Sequence, residues 1–135
     1  MSHLDYLKPA GVAPPPEPYN HVIRAGKTVF IAGQVAFDEA GDLVGPGDPA
    51  RQAEQCWTNI QACLRAAGAD LRDVAKVVCF LADIRHVPFE IAVRRRLFAD
   101  GRWPVYTMVQ VAKLGREDLL FEIDVTAVVP WGGPR

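Results

Sequence analysis

The chain has 135 residues, 50% of them apolar and 23% charged, which suits one globular domain with a real core and is too short for two. Fifteen basic side chains against 16 acidic ones leave a net charge of −1, so nothing electrostatic points to a nucleic-acid partner. No apolar run approaches the roughly 20 residues of a membrane span, and Met1-Ser2-His3-Leu4-Asp5-Tyr6 lacks the charged-then-apolar opening of a secretory signal; the expectation is a cytoplasmic protein with no membrane partner.

Residues 1–18 are rich in proline, with Pro14, Pro15 and Pro16 in a row and Pro18 just after, which predicts an extended polyproline arm, a tail or a strap. A single domain follows over residues 19–130, and residues 131–135 read as a C-terminal tail. Val22 to Ala25 and Thr28 to Val35 are β-rich and flank Gly26-Lys27, the pattern of a hairpin. Asp38 to Asp42 reads as a turn. Asp48 then stands as N-cap, with Pro49 at the first helical position where no intrahelical bond is lost. Ala53, Cys56, Trp57, Ile60, Cys63, Leu64 and Ala67 keep the three-four spacing of one helical face, and Gly68 supplies the stop. Val74 to Leu81 is apolar except for Lys76, as expected of a strand covered on both faces. Pro88 to Ala99 suits a second helix with Phe89, Ala92, Val93 and Leu97 on one side. Asp100 to Pro104 ends that helix, and Val105 to Val111 begins a strand. Over Leu119 to Val129, Phe121, Ile123, Val125, Ala127 and Val129 alternate with Leu120, Glu122, Asp124, Thr126 and Val128, so one face is core. The order is ββαβαββ, an α+β fold with two helices on one mixed sheet.

Several classes of chemistry find no support. Cys56, Cys63 and Cys79 match neither a disulfide framework nor a zinc site, and read as buried small hydrophobes. His21 and His86 belong to no metal-ligand motif, and no phosphate-binding glycine loop or nucleophile elbow is present, so neither a metal nor a cofactor is expected.

Five segments, in order, carry a resemblance. They are Pro18 to Gly26, Val29 to Val35, Gln55 to Ala69 with its Asn59-Ile60 and Ala66-Ala67-Gly68, Val77 to Asp83, and Phe121 to Ala127. Together they are similar to the RidA/YjgF family of enamine and imine deaminases, formerly called the endoribonuclease L-PSP family, from about Pro14 to Val129. The resemblance implies a chorismate-mutase-like fold, a homotrimer with clefts between subunits, and a small-molecule substrate. The family's older association with RNA cleavage gains nothing from the charge balance.

Hydrolysing an imine requires a grip on the substrate, a positioned water and a proton for the departing nitrogen. By the resemblance, catalysis would fall to Glu122, with Tyr19 and Gly33 beside the water and the substrate nitrogen. Where the family carries the arginine of Pro-Ala-Arg, this chain has Pro104-Val105-Tyr106, and the family's asparagine on the second helix falls at Ile91 to Val93, where there is none. A phenol offers one neutral donor in place of a charged fork. A substrate carboxylate would lose about 2–4 kcal/mol of anchoring unless another cation compensates. Arg94, Arg95, Arg96 and Arg102 lie just upstream. Three consecutive arginines on a helix fan over about 200°, so at most one or two could enter one cleft and the set reads first as solvated or spanning a subunit boundary, whereas Arg102, in a loop beside Trp103, is the freest to reach a pocket. Tyr106, Met108 and Phe89 would shape that pocket.

Glu122 and Asp124 project from one strand face, where a carboxylate pair can keep one member protonated near neutral pH, or where both could pair with arginines at a subunit seam. Two functions follow: a divergent enamine or imine hydrolase, or a trimeric small-molecule-binding module that has lost the chemistry.

Overall fold

The computed structural model describes residues 3–130; the predicted tail over 131–135 lies outside them. Six strands and two α-helices are present among the described residues: β1 Asp5–Leu7, β2 Val22–Ala25, β3 Thr28–Gln34, α1 Pro49–Ala66, β4 Val74–Leu81, α2 Val87–Leu97, β5 Val105–Gln110 and β6 Phe121–Val128. The sheet runs β1-β2-β3-β6-β4-β5, antiparallel throughout except for the parallel β4–β5 pair. This is the expected ββαβαββ order with one strand added at the front. The proline-rich arm turns at Ala10-Gly11 and bends over Pro16 to Pro18, and Asp5–Leu7 pairs with Val22–Arg24, which makes this part of the arm the sheet's edge.

Local chemistry explains α1. The Asp48 side chain accepts a hydrogen bond from the Arg51 amide, Pro49 opens the first turn, and Gly68 follows the last one at φ +71°. All seven residues of the predicted stripe are fully buried against the sheet. Each large aliphatic so placed is worth about 1.5–3 kcal/mol. Opposite it, Phe121, Ile123, Val125 and Ala127 of β6 point inward, as their alternation predicts, and the three cysteines are buried.

Two expectations are corrected. In β4, Val77, Cys79 and Leu81 are buried, while Lys76, Val78 and Phe80 face outward; both helices lie on the same face of the sheet, so the described residues cover only that face. In α2, the inward residues are Glu90 and Val93 rather than a stripe containing Phe89 and Ala92, which are exposed. Burying Glu90 turns the helix away from the arrangement that apolar spacing favours.

Candidate functional site

β3 and β6 set up the principal cleft. Between Ile31 and Gln34, β3 carries one residue more than the facing stretch Val125 to Ile123, and the resulting bulge falls at Ala32-Gly33. Glu122 lies over that bulge. A Cβ on Gly33 would sit 2.3 Å from Glu122 Oε2 and 2.8 Å from both its Cδ and Cγ, so only glycine leaves room for the carboxyl there. The space above is a cleft of about 570 Å³, bordered by Tyr19, Gly33, Gln34, Asn59, Arg116 and Glu122.

The predicted arm closes one wall. His21 Nε2 lies 2.8 Å from the Ala13 carbonyl oxygen and its Nδ1 lies 3.1 Å from Gln34 Nε2. The first contact requires an N–H on Nε2, so Nδ1 accepts from the Gln34 amide. His21 thereby straps the arm to the end of β3, and its ring meets Tyr19 edge-on at 5.7 Å. On the far wall, Asn59 Nδ2 donates to the carbonyls of Val35 and Phe37 at 3.0 and 2.9 Å, and Gln55 Nε2 donates to Asn59 Oδ1. The helix thus holds the loop leaving β3.

Burial pushes the Glu122 carboxyl above its ordinary value, and the neighbouring Asp124 charge adds to the shift. Asp124 is raised too, by burial, against the pull of Lys76. Burial, then Glu122 and Glu17, raise the Tyr19 phenol, which keeps it a donor. A raised pKa makes the ionised carboxyl a stronger base, suited to taking a proton and returning it.

Tyr106 and Met108 lie elsewhere, around a second hollow of about 410 Å³ bordered also by Ile91, Arg94, Arg95 and Trp103. The two hollows share no residue. The Tyr106 hydroxyl donates to Glu90 Oε1 at 2.7 Å, Trp57 Nε1 donates to Glu90 Oε2 at 2.9 Å, and Arg94 Nε lies 3.0 Å from the same oxygen. The Arg94 guanidinium carbon sits 3.5 Å above the Tyr106 ring. Burial and the Glu90 carboxylate drive the phenol far above its usual value, so its proton stays committed to Glu90.

Arg102 borders neither hollow; it is 75% exposed and faces Asp100 at 3.8 Å. Arg96 pairs with Glu54. Glu90 drew no notice in the sequence, although Glu90 and Arg94 stand four apart on a helix, the spacing of an ion pair. No cluster that could hold a metal occurs among the described residues.

A family model described as endoribonuclease L-PSP matches residues 10–129. A RutC family protein of Synechocystis is 35% identical over 94% of this chain and 98% of its own length. The 2-iminobutanoate/2-iminopropanoate deaminase of Bos taurus is 34% identical over 82% of this chain and 80% of its own. The crystal structure of RidA from an Antarctic Psychrobacter superposes with a TM-score of 0.85 at 29% identity, covering 93% of this chain and 99% of that one.

Proposed function

The chain belongs to the RidA/YjgF family, and from that premise we propose that it hydrolyses small enamines or imines to the carbonyl compound and ammonia. The observation that carries this reading is the Glu122 carboxyl held over Gly33, its pKa raised by burial, on the wall of an open cleft that Tyr19 also borders. Ionised Glu122 takes a proton from water as the water oxygen bonds to the imine carbon and the C=N pair moves onto nitrogen. The carboxyl returns that proton to nitrogen, giving the carbinolamine. It then takes the hydroxyl proton and delivers it to nitrogen as the C–N bond breaks, leaving a carbonyl and ammonia with every proton accounted for. The Tyr19 hydroxyl is placed to hold the water or the departing nitrogen.

We read the working form as a homotrimer. The sheet face opposite the helices carries Phe30, Val105, Val109 and Val128, all 38–65% exposed, and apolar side chains gathered on an uncovered face mark an interface. In the trimer we propose, the β5 edge of one chain, with its Tyr106–Met108 hollow, would lie against the Glu122 cleft of another, so that Tyr19, Gly33, Tyr106 and Met108 contribute to one site. The related bovine deaminase acts on short 2-imino acids, and these are the first substrates to try. An amino-acid oxidase forms 2-iminobutanoate in situ from 2-aminobutanoate; added protein should speed the release of ammonia from it.

The second reading, a binding module without chemistry, draws on one observation: the Tyr106 hydroxyl is taken by Glu90 and offers a ligand nothing. Under that reading, a ligand raises the melting temperature but is recovered unchanged.

A further inference from the structure

We propose that Arg94 is the anion clamp of the second hollow, presenting its two terminal nitrogens to a monocarboxylate. The inference rests on the imine-hydrolase reading for the identity of the carboxylate, and on the geometry around Arg94 for everything else.

Arg94 leaves α2 only 12% exposed and is fixed on two sides. Its Nε is engaged by the buried Glu90 carboxylate, and its guanidinium lies over the Tyr106 ring. Stacking on an aromatic face while one edge is bonded holds the planar fork in a single orientation. Neither terminal nitrogen has a hydrogen-bond partner among the described residues, and neither is sealed away from solvent. An oriented guanidinium with its fork unfilled, at the wall of an open hollow, is a bidentate carboxylate site.

Charge sets the valence of the ligand. Glu90 balances Arg94, while Arg95, on the same wall, makes no ion pair among the described residues. The hollow therefore carries about one uncompensated positive charge, matched to a monoanion. Ile91, Met108 and Trp103 supply an apolar rim for a short alkyl chain. Arg116 is the competitor, because it borders the Glu122 cleft; its Nη2 is spent on Asp118 at 2.7 Å and its side chain is half exposed. Tyr106 thus becomes the platform on which the clamp rests rather than the clamp.

Calorimetric titration of the full chain with 2-oxobutanoate, with the neutral 2-oxobutanamide and with inorganic phosphate tests this. Arg94→Leu should weaken 2-oxobutanoate by at least about 30-fold while leaving the amide within about twofold. Arg94→Lys, which keeps a cation beside Glu90 and so guards against misfolding, should fall in between, and Arg96→Gln should bind as wild type. Equal binding of the acid to wild type and Arg94→Leu overturns the proposal, as does a loss confined to Arg116→Gln, tighter binding of phosphate than of the acid, or no binding of the acid to wild type. Arg94-dependent binding without ammonia release would sink the hydrolase reading and leave the clamp standing; ammonia release with an unchanged KM in Arg94→Lys and Arg94→Leu would do the reverse.

Discussion

The setting of the Glu122 carboxyl comes from its burial, which raises its pKa, from the Asp124 charge that adds to the shift, and from the missing side chain of Gly33 beneath it. Gly33→Ala would drive a Cβ into Glu122 Cγ, Cδ and Oε2 at once, so the whole side chain must swing out of the cleft. We expect kcat to drop at least about tenfold, one factor of about 1.4 kcal/mol in the barrier, with the melting temperature little changed. An unchanged kcat would mean that the carboxyl's position is unimportant. Because folding raises the Glu122 pKa, the native state binds the proton more tightly than the unfolded chain does. The stability from that proton is fully present below the ordinary carboxyl value and is lost as pH rises through the raised one. Glu122→Gln should therefore melt higher than wild type at pH 7, with the gap closing by about pH 4; a gap that widens in acid would reverse the sign of the shift.

Among the elements, α1 and β6 were legible because one physical rule governs each, a three-four stripe in the first and strict alternation in the second. The orientation of α2 was not legible. Its apolar residues favour one face, yet the three donors from Trp57, Tyr106 and Arg94 draw Glu90 inward, and no local pattern reveals partners 33 and 16 residues away. For the same reason, Arg94 could not be picked out of three adjacent arginines: the choice depends on which way the helix is turned. Nor was β1 visible, since three residues ahead of a proline run carry too little pattern to announce a strand. Removing the buried carboxylate strands all three donors, so Glu90→Ala should cost about 3–5 kcal/mol in urea unfolding. A loss below about 1 kcal/mol would show that the network stabilises little.

At the scale of the whole molecule, the feature that matters is a sheet that the described residues cover on one side only. Continuous apolar residues in β4 suggested cover on both faces, and the sequence has no way to say whether the second cover comes from the same chain. On the open face, Val109 sits across from Phe80, itself across from Glu122, so the apolar surface reaches the strand that bears the cleft carboxyl. Val109→Glu should convert a three-chain species into single chains in sedimentation velocity and abolish activity with the helices intact by circular dichroism. Sedimentation of the wild type as a lone chain would remove the shared cleft. The reaction proposed for this chain is the hydrolysis of a C=N bond with Glu122 moving the protons. Its most direct measurement is the rate of ammonia release from 2-iminobutanoate generated in situ, with and without the protein. A marked acceleration by wild type that Glu122→Gln abolishes is the result predicted; equal rates with wild type, Glu122→Gln and buffer alone would contradict it.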